Sequence, residues 1–297
     1  MIVFEGRLDA GDTIALHPGD RGLTLADGLF ETMLAIDGRV FRRDAHLERM
    51  MAGAEAFALP IARARLEHDL DLLLAALPAG EAVVRLTVTR GPGARGLARP
   101  ATARPTVLVT HAPWTREAVM RPVRLATVTI RRNETSPASR WKTLAYVDAI
   151  AALAEAEAKG ADDALLLNTR GDVACTAMAN VFAVVGDALL TPQPDDGILA
   201  GTMRTLVLEA ARASGMRTKE MSLAPREFRE AEAIFLTNSV RLVAPVVGLD
   251  RRGHDGDHAV ARRLAAAIGE RMAQECGRDP RIDRPGADAP PPGRGDG

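Results

Sequence analysis

Apolar and polar positions along this chain fall into two differently patterned halves. In the first half, residues 23–40 carry two apolar runs broken at Asp37-Gly38, a turn pair that predicts a hairpin. Asp44 is a suitable N-cap for a helix over 45–58, which Pro60 closes, and a second helix is expected over 61–77. The β-branched runs 82–88 and 106–110 predict strands, separated by a Gly/Arg/Pro loop over 90–104. Residues 1–112 therefore read as a small two-layer α/β domain. A linker over 113–122 leads to a second domain over 123–276. There the pattern predicts a strand over 123–130, a polar loop to Arg140, and a helix over 144–159. That helix carries Tyr146, Ile150, Leu153 and Glu157 on one face and stops at Gly160. Strands follow over 164–167 and 181–185 around the turn Arg170-Gly171-Asp172. A helix over 202–214, strands over 216–223, 233–236 and 243–249, and a closing helix over 257–275 complete the domain. Residues 277–297 are Pro, Gly, Arg and Asp with almost no apolar content and are expected to be disordered.

Composition narrows the function by exclusion. The 297 residues are 47% hydrophobic, which suits a globular protein with a substantial core, and the net charge of −1 shows no footprint for nucleic acid or membrane. Cys175 and Cys276 form neither a disulfide framework nor a CxxC metal motif, which fits a reducing compartment. The start lacks a basic segment followed by an apolar one, and no apolar run approaches the ~18 residues of a membrane span. A cytoplasmic protein is expected.

The basic residues are more telling. Only Lys142, Lys159 and Lys219 are lysines among 38 basic residues. Arginine replaces lysine wherever a plain positive charge is wanted, but a guanidinium stays protonated and cannot act as an amine nucleophile. Lys159 and Lys219 sit in polar surroundings. Lys142 alone is flanked by Trp141, Leu144 and Tyr146.

Four separated segments then stand in order. They are Asp20-Arg21-Gly22 through Gly28-Leu29-Phe30-Glu31-Thr32; His46-Leu47-Glu48-Arg49; Trp141-Lys142-Thr143-Leu144-Ala145-Tyr146; and Gly201-Thr202-Met203-Arg204, joined later by Thr237-Asn238-Ser239-Val240. In that order and spacing the chain, over about residues 1–275, resembles the class IV (fold type IV) pyridoxal-phosphate (PLP) enzymes. That family includes branched-chain aminotransferases, D-amino-acid aminotransferases and 4-amino-4-deoxychorismate lyases. The resemblance implies a mixed α/β fold, with a small N-terminal domain, a larger pseudo-barrel domain, and a homodimer. It makes Lys142 the Schiff-base lysine and Arg49 and Ser239 phosphate ligands. The backbone N–H groups of Thr202 and Met203, at a helix start whose dipole favours an anion, would complete the phosphate site. The resemblance also allows Tyr146 to lie near the cofactor, the alternative being a tyrosine in the helix core, and makes Phe30 a candidate for lining the substrate.

Two positions depart from the family pattern. Where the family normally has a glutamate that keeps the pyridine nitrogen protonated, this chain has Cys175, a weak and usually neutral donor. A weaker electron sink and slow or altered chemistry are expected. In the loop Arg90-Gly91-Pro92-Gly93-Ala94-Arg95-Gly96-Leu97, Arg95 is a candidate carboxylate clamp, whereas Leu97 supplies neither the tyrosine of the lyases nor the histidine of the D-amino-acid enzymes. The resemblance points first to pyruvate elimination from aminodeoxychorismate and next to amino-group transfer on a small amino or keto acid; the branched-chain pattern fits least. Two rivals follow from Cys175: a relative that has lost cofactor chemistry and acts as a binding protein, and a cysteine nucleophile.

Overall fold

A six-stranded antiparallel sheet and a nine-stranded mixed sheet carry the fold of this computed structural model, which describes residues 1–256 and 258–282. In the first, β1 (Ile2–Phe4) and β2 (Arg7–Asp9) form a hairpin over Glu5-Gly6. Helix α1 (Arg21–Leu25) follows, then β3 (Gly28–Ile36) and β4 (Arg39–Val40), the expected hairpin about Asp37-Gly38. Both of those residues have positive φ, 48° and 76°, as a tight two-residue turn demands. Helices α2 (Arg43–Ala56) and α3 (Arg63–Ala76) and strands β5 (Glu81–Thr89) and β6 (Thr106–Pro113) complete this half, in the sheet order β2-β1-β6-β5-β3-β4.

Two local expectations are corrected here. Residues 23–25 are helical, because the Asp20 side chain caps Gly22 N–H and turns the chain, and Leu23 is 64% exposed. Asp44 is not the N-cap of α2. That position is Arg42, left-handed and without a side-chain cap, and its N–H donates instead to Glu275 Oε2 at 2.9 Å. A carboxylate distant in sequence meets the need that Asp44 was expected to meet, and Asp44 pairs with Arg63.

The second half runs β7 (Val123–Arg132), α4 (Pro137–Arg140), α5 (Val147–Ala158), β8 (Asp163–Asn168), β9 (Val173–Thr176), β10 (Asn180–Val185), β11 (Ala188–Thr191), α6 (Thr202–Ala213), β12 (Arg217–Glu220), α7 (Pro225–Glu230), β13 (Ala233–Asn238), β14 (Leu242–Leu249), β15 (Arg252–Gly253) and α8 (Ala259–Cys276). The sheet order is β12-β11-β10-β13-β14-β7-β8-β9, with β15 on β14. Thr176 N–H donates to Ala179 O, so β9 turns back toward β10 and the sheet curls into a half-barrel. The main core joins the two halves: Leu34 and Ile36 of β3 and the adjoining Phe41 share one buried cluster with Phe182 of β10, Phe235 of β13, Val207 of α6 and Ile268 of α8. Trp114, in the connecting stretch, donates from its indole to Val240 O at 2.9 Å and ties the connection to the β13–β14 turn.

Helix α5 begins three residues later than expected, and Tyr146 is its N-cap residue. Its apolar face is also misassigned by pattern: Val147 and Ile150 are 76% and 66% exposed, while Ala152 and Ala156 are the buried positions. Small side chains let the helix approach β7 and β8 closely. The expected disorder of 277–297 fails at its start. Arg278 bonds to Asp37 and Glu81, at 2.5 and 2.6 Å, and anchors the chain end to the first sheet. Residues 283–297, like Asp257 at the expected start of α8, lie outside the described residues. No described helix is long and apolar enough to cross a membrane.

Candidate active site

The short segment after α4 lies against the start of β3. Phe30 N–H donates to Lys142 O at 2.9 Å and Leu144 N–H to Gly28 O at 3.1 Å. That approach requires glycine at 28, since a Cβ there would stand 2.5 Å from Val88 O and 2.8 Å from Leu144 Cδ1. The backbone of Lys142 is thus fixed by the first sheet, and its side chain lies over Phe30, with Nζ 4.3 Å from the ring centroid. Nζ also donates to Tyr146 Oη at 3.2 Å. Burial pushes the amine down from its ordinary 10.5 to about 8; Glu31 opposes this, while Arg49 and Arg85 add to it. Neither other lysine shares these features. Lys159 pairs with Glu155 at 2.8 Å, and Lys219 is exposed on β12.

The start of helix α6 could serve as an anion cradle. Its N-cap is Gly201, with no side-chain cap and no acidic residue in the first turn, so the leading N–H groups are free for a ligand. A Cβ on Gly201 would come within 2.1 Å of Asn180 Oδ1, and Asn180 in turn holds Leu199 O at 2.9 Å. Met203 is buried by its side chain in the main core, which leaves its backbone for the cradle. Thr202 Oγ1, Ser239 Oγ and His46 Nε2 form a triangle with each side 3.4 Å. Arg49 closes the site, donating to Ala200 O at 3.1 Å and twice to Glu31, at 2.7 and 2.6 Å. Glu31 is 1% exposed. Burial alone would raise its carboxyl, but Arg49 and the His46 hydrogen bond overcome that and hold it near 2.

Glu31 and His46 were read in the sequence without a role. Both carried a signal. Glu31 is an acid inside an apolar strand, and strand alternation puts it on the face opposite Phe30, toward α2. His46 stands three residues before Arg49, on the same helical face.

The remaining candidates divide. Phe30 meets Tyr146 edge to face at 5.2 Å, so it joins the lysine cluster. Arg85, which the sequence did not single out, places its guanidinium 3.6 Å from the centre of the Phe30 ring and has no hydrogen bond or ion pair among the described residues. Its signal was a charge in the middle of β5. Cys175 is buried on β9 opposite Leu166, and burial pushes its thiol upward, so it stays neutral. Arg95 is exposed in the 90–105 loop and contacts neither Lys142 nor the cradle. Arg21 holds this loop through Gly96, Leu97 and Ala98 carbonyls. No group of acidic, histidine and cysteine side chains among the described residues could hold a metal ion.

The chain is similar to known proteins over most of its length. A profile of the family "Amino-transferase class IV" matches residues 28–249. A protein of Methanocaldococcus jannaschii, provisionally named a branched-chain-amino-acid aminotransferase, is 31% identical over 239 residues, 78% of this chain and 82% of that one. A "Bifunctional aminodeoxychorismate lyase / D-amino acid transaminase" of Mycobacterium tuberculosis is 29% identical over 278 residues, 85% and 92% of the two chains. Among solved structures, a hypothetical aminotransferase from Mycobacterium tuberculosis in its PLP-bound form superposes with a TM-score of 0.79 at 28% identity, covering 91% of this chain and 99% of that one.

Proposed function

Since the chain belongs to the class IV amino-transferase family, whose members are PLP-dependent enzymes, we propose that its reaction is the elimination of pyruvate from an aminodeoxychorismate-type acid. The residues present suit the cofactor. A buried amine of lowered basicity, an uncapped helix start shaped by Gly201, and a guanidinium and two hydroxyls at its edge match an aldehyde and a phosphate. Bound there, PLP supplies that aldehyde and a ring that draws electrons from bonds beside the substrate nitrogen. Arg49, Thr202, Ser239 and the Met203 amide would hold the phosphate. Lys142 would supply the amine for that aldehyde and would carry protons at Nζ, and Tyr146 Oη, which accepts from Nζ, would orient it. Arg85, unpaired beside the Phe30–Lys142 contact, is suited to a substrate carboxylate.

Cys175 is the observation that favours elimination over amino-group exchange. Loss of pyruvate leaves an aromatic ring, and that gain in stability is driving force that exchange must instead obtain from the cofactor ring. A neutral thiol where the family has a carboxylate weakens the ring as a sink and so handicaps exchange more. Cys175→Glu is therefore expected to raise keto-acid exchange by about 10–100-fold, the equivalent of one charged hydrogen bond of ~1.5–3 kcal/mol, and to raise pyruvate release less. Rates of both reactions on the variant check this; equal rates in variant and parent would show that another group handles the ring nitrogen. The relatives favour a second reading, D-amino-acid exchange, because one carries both activities. Incubation with aminodeoxychorismate beside a panel of D- and L-amino acids separates the two. Pyruvate released without an amino acceptor supports the first; keto-acid exchange without pyruvate release overturns it.

The lowered amine gives a pH test of the same site. Lys142 reacts only when unprotonated, so the rate of covalent PLP capture by cofactor-free protein should rise with pH and level off just above about 8. A rise that continues toward the ordinary lysine value of ~10.4 would place the reacting amine in solvent. The proposal includes a homodimer.

A further inference from the structure

The cradle contains one ionisable group with no assigned part. His46 is 1% exposed and stands between Glu31 and the two hydroxyls. Its Nδ1 is 2.7 Å from Glu31 Oε2. Arg49 donates twice to the same carboxylate and keeps it ionised. An ionised carboxylate can only accept, so Nδ1 carries a proton. Nε2 is left with a lone pair, 3.4 Å from Thr202 Oγ1 and 3.4 Å from Ser239 Oγ. In the absence of an anion, one hydroxyl can give its proton to this nitrogen.

A phosphate in the cradle changes that balance. Each hydroxyl has a single proton to give. With a dianion at the start of α6 both protons are drawn to phosphate oxygens, and Nε2 loses its donor in a place closed to water. The charged groups facing the imidazole are Glu31 from β3, Arg49 from its own helix and Lys142 from the neighbouring segment. Burial, Arg49 and Lys142 hold the free imidazole below its ordinary value against the pull of Glu31. Two negative charges beyond the hydroxyls reverse the sum.

We propose that His46 takes up one solvent proton as the cofactor phosphate binds, and that the resulting imidazolium, sandwiched between Glu31 and the hydroxyl pair, is part of what holds the phosphate. Nε2–H then donates to a hydroxyl lone pair, and both hydroxyls donate onward to the anion, so no buried polar atom is left without a partner. The inference rests on the cradle being the PLP phosphate site. It gives Glu31 two tasks: orienting Arg49 and balancing His46.

Proton counting by calorimetry tests it. Lys142→Ala removes the covalent chemistry, and titration with PLP in buffers of different ionisation heat, read as the difference from the Lys142→Ala, His46→Asn double variant so that the ring nitrogen cancels, reports the proton taken up at His46. At about pH 7.5, above the phosphate's second ionisation near 6, uptake of about one proton per site is expected. The double variant should bind more weakly and take up about one proton fewer. Independently, nitrogen NMR of histidine-labelled holoenzyme should show one imidazole with both nitrogens protonated, and His46→Asn should remove that signal. PLP binding without proton uptake, or a bare Nε2 in the holoenzyme, overturns the proposal while leaving the phosphate site intact. No PLP binding at all overturns the cradle reading itself.

Discussion

Lys142→Ala is expected to lower kcat by at least ~10²–10⁴-fold on every substrate, the range that a positioned acid–base group commonly contributes. Nothing nearby can substitute. A guanidinium is not an amine that can shuttle protons, and burial raises the Tyr146 hydroxyl above its ordinary value, so it stays a protonated phenol with no basic oxygen to offer. Lys142→Arg should fail as badly, because it restores charge without a free amine. Turnover at saturating PLP measures the loss, with circular dichroism to show that the fold is kept. A loss below about tenfold would move the proton transfers to another group.

The second large effect is on stability. Glu31→Ala leaves Arg49 and His46 in a buried site without their counter-charge, and breaking such a pair typically removes roughly 3–5 kcal/mol. Glu31→Gln keeps the shape and some of the hydrogen bonds and should lose less. Because the folded carboxyl is held near 2, against an ordinary 4.5, its contribution is complete above about 4.5 and fades as pH falls from there through 2. Urea unfolding at neutral pH and again near pH 3 would show it: the gap between parent and Glu31→Ala should narrow on acidification. A neutral-pH difference under ~1 kcal/mol would mean that Arg49 is oriented by something other than Glu31.

Much of the site was legible because its chemistry restricts residue type. A lysine-poor chain exposes Lys142, and Gly201-Thr202-Met203 before a periodic helix marks the start of α6. Helices α2, α3, α6 and α8 lie within a few residues of the ranges expected for them. What stayed hidden depended on contacts between distant segments. The α2 cap comes from Glu275, so Asp44 misleads. The buried side of α5 is alanine, so its larger apolar residues mark the exposed side instead. Arg278 is ordered by Asp37 and Glu81, partners that composition cannot foresee in a Pro/Gly/Arg tail. Glu31 and His46 gain meaning only once β3, α2 and α6 converge.

Borohydride reduction of the PLP-loaded protein, followed by mass mapping of its peptides, tests the central claim most directly. The account predicts a single pyridoxyl adduct, on the peptide that contains Lys142. An adduct on Lys159 or Lys219 instead, or no adduct on a protein that has taken up PLP, would contradict it.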